Sequence, residues 1–215
     1  MQFGKMIQTF TSTDFHAICD GLGEKNGYLQ SILTEYNYPP FWTRPNTFET
    51  LVLTILEQQV SLASANAAYK KLKEKIGKIT PPKILKLADE ELRSCYLSRQ
   101  KIVYVRGLAN GILDKRINLK RFENEEDESV RKELKELKGI GDWTVDIYLI
   151  HALQRSDIFP IGDLALVNAV RIITGEQFTK EEIISMAESW KPYRTIATMI
   201  LWHYYIKKKN IKLLH

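Results

Sequence analysis

The chain predicts an all-α fold, and three observations carry that reading. Apolar residues recur at helical spacing, as in Phe48, Leu51, Val52, Ile55 and Leu56. Residues suited to N-caps stand just before such runs, Thr47, Ser61 and Thr179 among them. No stretch shows the period-two alternation of a half-buried strand, and no internal repeat is visible. At 215 residues and 44% hydrophobic content, the chain can bury one core or two small ones.

Residues 1–45 read as an N-terminal helical segment packing on a main body of residues 46–215. Asn26-Gly27 and Pro39-Pro40 punctuate this segment, and Tyr28, Leu29, Ile32 and Leu33 predict one helix. Phe41 and Trp42 are expected to pack against the body. Thr47 starts a strong helix whose apolar face ends at Glu57-Gln58-Gln59-Val60. Taken alone, those two amides read as a solvated turn. Ser61 caps the next helix, Leu62 to Ile76, whose lysines form a solvated face with diffuse attraction for phosphate.

Pro81-Pro82 opens a further helix. Arg99 and Lys101 precede an apolar one, residues 102–112. The acidic run ENEEDE, residues 123–128, reads as an exposed edge between subdomains that would repel a polyanion. Beyond Asp163, Leu164, Val167, Val170 and Ile173 predict a helix ending at Gly175. Thr179 caps another, to Trp190, and the last spans 193–207 before Lys207-Lys208-Lys209.

The stretch from Leu137 to Asp163 is where chemistry is expected. A short helix, about 129–137, leads into Gly139-Ile140-Gly141, and a second helix starts near Asp142. Flanking glycines permit backbone angles that other residues resist, while Ile140 points to the core. Free N–H groups at the following helix start suit a phosphate. The bland reading is a helix-helix turn with a glycine cap. Asp163 likewise reads first as the N-cap of the helix at Leu164.

Composition bounds the partners. Net charge is +5, which suits a polyanion. Cys19 and Cys95 are the only cysteines, too few for a four-thiolate metal or iron–sulfur site. The N-terminal MQFGKMIQTFTSTDF lacks an apolar signal core, and no apolar run approaches a membrane span. An intracellular location without a membrane is therefore expected.

The pattern L-x-G-I-G-x-W-T resembles the helix-hairpin-helix motif of base-excision DNA glycosylases. With Asp163 downstream, the chain resembles the helix-hairpin-helix-GPD superfamily, in particular its 3-methyladenine DNA glycosylase II (AlkA-like) family. LEQQVSLASANAA at 56–68, SRQKIVYVRGLA at 98–109 and WKPYRTIATMILW at 190–202 extend the likeness from about Phe48 to Trp202. The resemblance implies two helical subdomains flanking an active-site cleft, with the hairpin motif at about 129–153.

It also implies roles. Asp163 is the expected catalytic carboxylate. Trp143 and Trp202 match aromatic base-pocket positions, and Gly139, Ile140 and Gly141 grip DNA. Gln59 falls at the residue that plugs the stack, a place the family also fills with an aliphatic. Ile147 and Leu164 stand where the family uses pocket aromatics. Bifunctional relatives carry lysine where Trp143 stands, so the chain is expected to lack lyase activity. No cofactor is expected to be required, although the family's hairpin holds Na+ or K+ through backbone carbonyls, here near Leu137 and Gly139.

The expected activity is that of a monofunctional glycosylase. It would flip alkylated purines of the 3-methyladenine or 7-methylguanine type out of double-stranded DNA and hydrolyse the glycosidic bond. Two alternatives stay open: a non-catalytic helix-hairpin-helix DNA-binding protein, or a superfamily glycosylase for another damaged or deaminated base. The chain is expected to act as a monomer, in the cytoplasm with the nucleoid of a prokaryote or in a eukaryotic nucleus.

Overall fold

The computed structural model describes residues 7–211. Among them the structure is helical, with one isolated β-bridge between Thr9 and Arg155. Residues 1–6, part of the stretch read against a signal peptide, and residues 212–215 lie outside the described residues.

In chain order the helices are α1 (Phe15–Lys25), α2 (Gly27–Tyr36), α3 (Phe48–Glu57), α4 (Leu62–Ile76), α5 (Pro81–Lys86), α6 (Asp89–Ser94) and α7 (Arg99–Leu113). There follow α8 (Leu119–Phe122), α9 (Asp127–Lys135), α10 (Asp142–His151), α11 (Leu164–Thr174), α12 (Lys180–Ala187) and α13 (Arg194–Lys208). A 3-10 turn at Glu188–Trp190 links the last two. None of the described helices is long and apolar enough to cross a membrane.

Local chemistry sets many of the starts. Thr47, Ser61, Ser98 and Thr179 each accept a hydrogen bond from the N–H three residues on. Each thereby satisfies a donor that the first helical turn leaves without a partner. Glu182 completes a capping box with Thr179.

Some expectations are corrected. The N-terminal region holds two helices, not one. Asp20, Gly21 and Gly23 weaken α1's propensity, but Phe15, Cys19 and Leu22 bury its inner side. Phe10, Phe15 and Phe41 also cluster edge-on and stacked. The helix expected from residue 102 begins at Arg99, because Ser98 caps it. α9 stops at Lys135, two residues before Leu137.

The chain folds into two units. Among the described residues, one joins residues 7–43 to residues 149–211, and the other runs from Arg44 to Tyr148. In the first unit α1, α2 and α11 pack on α13, whose Ile196, Ala197, Met199 and Ile200 are fully buried. In the second, α3 packs on α4 and α7, while α5 and α6 cover α7. Leu51, Val52, Ile55, Leu72, Val105 and Leu108 are buried there.

The acidic run lies inside the second unit. Arg121 holds Glu125 at 2.8 Å and also pairs with Glu133. Three lysines of α4 are likewise paired, Lys71 with Glu74, Lys73 with Glu49 and Lys75 with Glu91.

Candidate functional site

The hairpin between α9 and α10 is clamped by charge. Arg131 meets Asp146 at 2.7 Å, and Lys135 meets Asp142 at 2.7 Å. Burial pushes the Asp146 carboxyl above the ordinary carboxylate range, although Arg131 pulls the other way. Within the turn the Ile140 N–H donates to Leu137 O at 3.1 Å. The Ile140 side chain is buried, as its place in the motif suggests.

The two glycines differ. Gly139 has φ +89°, and a Cβ there would fall inside the Tyr104 ring. Gly141 is outside the positive-φ region and has open space where a Cβ would stand. Gly139 therefore meets a conformational and a packing demand that Gly141 does not. The first full helical bond of α10 runs from Val145 N–H to Gly141 O at 3.1 Å. The first N–H groups of a helix have no carbonyl one turn back, and a helix start is for that reason a place where an anion can be held. Leu137 O and Gly139 O each accept one bond, from Ile140 N–H and from Gln58, and keep a second lone pair. Those oxygens fit the monovalent cation that the resemblance implies.

The turn between α3 and α4 lies in the same unit. Arg44 grips Glu57 through two bonds of 2.6 and 2.8 Å. Lys101 Nζ donates to Leu56 O at 2.6 Å, and burial holds its ammonium below the usual lysine range. Gln59 is exposed and sits at φ +55°, an uncommon place for a residue with a Cβ. Gln58 is half-buried, and its Nε2 donates to Gly139 O and to Thr144 Oγ1. Trp143 stands half-buried in the first turn of α10.

In the other unit Asp163 occupies the N-cap of α11. Its Oδ1 accepts from Leu166 N–H at 2.8 Å and from Trp202 Nε1 at 3.0 Å. Its own N–H donates to Pro160 O at 2.8 Å, closing the turn that delivers it. The carboxylate is only partly buried. Trp202 is 8% exposed, and the His151 imidazole stacks on it with centroids 5.7 Å apart and planes at 15°. His151 Nδ1 lies 3.0 Å from Trp42 O. Leu164, next to Asp163, is 75% exposed, whereas Ile147 in the second unit is buried.

Thus the structure joins Asp163 to Trp202 directly and the Gln59 turn to the hairpin through Gln58. Sequence reading missed Gln58, Tyr104 and His151. His151 left a local sign as the imidazole of an otherwise apolar helix end, and Gln58 as one of two amides that end an apolar face.

A glycine hairpin between two helices, with an aspartate capping a helix beyond it, defines the helix-hairpin-helix class with a downstream carboxylate. The chain belongs to the HhH-GPD superfamily of base excision DNA repair proteins, which matches residues 52–195. It is 28% identical over 207 residues to DNA-3-methyladenine glycosylase 1 of Schizosaccharomyces pombe, covering 92% of this chain and 89% of that one. It is 27% identical over 172 residues to a DNA-3-methyladenine glycosylase of Bacillus subtilis, covering 74% of this chain and 57% of that one. A structure of the S. pombe 3-methyladenine DNA glycosylase in complex with abasic DNA superposes with a TM-score of 0.82 at 26% identity, covering 93% of this chain and all of that one.

Proposed function

We infer that this chain is a monofunctional DNA glycosylase that removes alkylated purines from double-stranded DNA in base excision repair. The observation that carries the reading is the Asp163 carboxylate, held by the Leu166 N–H and the Trp202 indole. The relatives named as 3-methyladenine glycosylases supply the substrate class.

A base inside a duplex is out of reach, so the enzyme must extrude it. The first-turn N–H groups of α10 would hold a backbone phosphate beside the lesion. A cation on Leu137 O and Gly139 O would add positive charge there. Gln59 would fill the gap left in the stack. Departure of the base leaves positive charge on the sugar, as in glycoside hydrolysis. A carboxylate ~4 Å away stabilises that charge by up to ~4 kcal/mol at an effective dielectric near 20. That is about a thousandfold in rate.

Asp163 would supply this charge and orient the attacking water. Two donors on Oδ1 fix its aim. Trp143 offers an electron-rich face that attracts a cationic alkylpurine. An indole forms no Schiff base, so the strand would be left intact at the abasic site.

The test is base release from a panel of duplexes bearing 3-methyladenine, 7-methylguanine, hypoxanthine and ethenoadenine, with borohydride trapping alongside. Release of alkylated base without a trapped adduct is expected. Binding without release of any base would favour a non-catalytic DNA-binding protein. A trapped adduct would refute the monofunctional reading.

A further inference from the structure

Gln58 immediately precedes the proposed plug, yet its side chain turns to the hairpin. Nε2 donates to Gly139 O at 2.9 Å and to Thr144 Oγ1 at 2.8 Å. Gly139 O can only accept, so the amide nitrogen must face it. A single nitrogen therefore spends both N–H groups on the motif, one on its turn and one on the first helical turn beyond. Thr144 is 2% exposed, so this bond reaches into the body of the motif. Only Asn and Gln offer two N–H groups on one uncharged side-chain nitrogen, and Asn is a methylene shorter.

The rest of the turn is anchored as well. Lys101 holds Leu56 O at 2.6 Å, and Arg44 holds Glu57. Gln59 comes next, exposed and at positive φ. A residue in that backbone region persists only where its surroundings hold it there. Gln58 is the neighbour that ties this strained position to Gly139, itself at φ +89°.

We propose that Gln58 is a positioning residue that couples the phosphate grip to the plug. Seating the hairpin on the backbone fixes Gly139 and Thr144, and through Gln58 it sets where Gln59 enters the duplex. The proposal rests on the glycosylase reading above. It differs from a plain structural tie in one respect: the effect of Gln58 must pass through Gln59.

The test is a double-mutant cycle with Gln58→Met and Gln59→Ala. Methionine keeps the unbranched shape and removes both donors. Base release is measured from a fully paired duplex and from one with the lesion opposite a mismatch, and 2-aminopurine beside the lesion reports extrusion. Gln58→Met should slow release from the paired duplex by about tenfold, within the range of coupled neighbours. The loss should be smaller on the mismatch and absent in the Gln59→Ala background.

Additive losses, or equal losses on both duplexes, would overturn the coupling. Gln58→Glu, of equal length and with an acceptor facing Gly139 O, carries the same cycle should the methionine variant not fold. A wild-type chain that binds DNA and releases no base counts against the glycosylase reading instead. The 2-aminopurine signal then decides the coupling alone, and its absence in wild type overturns it.

Discussion

Trp202 Nε1 and Leu166 N–H both bond to the same oxygen of Asp163, at 3.0 and 2.8 Å. The cap of α11 and the aim of the carboxylate are therefore one arrangement. A helix start favours a negative charge, and an indole from α13 keeps that charge from swinging.

Asp163→Asn separates capping from charge. Asparagine caps a helix about as well as aspartate and keeps an oxygen for the indole. Thermal unfolding and DNA affinity should stay near wild type. Release of alkylated base should fall ~100-fold or more, the scale of losing a few kcal/mol of transition-state electrostatics. Hypoxanthine, a neutral lesion, should suffer more than a cationic alkylpurine. Near-normal release of both by a folded variant would remove Asp163 from the chemistry.

Trp202→Phe removes the N–H and keeps an aromatic ring against His151. A bond to a charged acceptor contributes ~1.5–3 kcal/mol. Release should fall by roughly tenfold, which is ~1.4 kcal/mol, with little further loss in the Asp163→Asn background. Single-turnover rates of the two single variants and the double variant give the answer. Fully additive losses would mean that Trp202 acts on the base and not on Asp163.

The hairpin glycines should respond differently to alanine. Gly139→Ala places a methyl in the Tyr104 ring at φ +89°, and backbone strain of this kind costs ~1–3 kcal/mol. Gly141→Ala meets open space and should change stability by no more than ~0.5 kcal/mol. It should still weaken DNA binding, because the added methyl stands where a phosphate must approach. Denaturant unfolding paired with a DNA titration separates the two effects. Equal destabilisation by both would contradict the geometry.

Asp146 makes a pH prediction. Burial raises its carboxyl above the ordinary 3.8, so the folded state binds this proton more tightly than the unfolded state does. The associated stability is full below 3.8 and is lost as pH rises through the folded value. Measured against Asp146→Asn, which does not titrate, wild type should lose ground as pH rises from 3.8 through the folded value. Urea unfolding of both proteins at several pH values checks the slope. A pH-independent difference would show that Arg131 fully offsets the desolvation.

What could be read from the sequence was local. Thr47, Ser61, Thr179 and Asp163 announce their helices because an N-cap acts within three residues of itself. The Gly139-Ile140-Gly141 turn was equally visible, as three adjacent residues. α1 was not, because Asp20, Gly21 and Gly23 argue against a helix that burial of Phe15, Cys19 and Leu22 creates. The links that organise the site lie far apart in the chain. Trp202 reaches back 39 positions to Asp163, and Gln58 reaches 81 forward to Gly139. Nothing within a short window marks either bond, and Tyr104 beneath Gly139 is hidden for the same reason.

The path of the chain through its two units bears on synthesis. The ribosome delivers Arg44 to Tyr148 as one continuous piece, so every helix of that unit exists before α11 has been made. The other unit is begun first and finished last. Its α1 and α2 must wait for α13, the helix they pack on. During that interval Leu29 and Ile32, which are fully buried once folding is complete, lack their eventual cover. Nascent chains halted before α13 are thus the stage most exposed to aggregation and to chaperone capture.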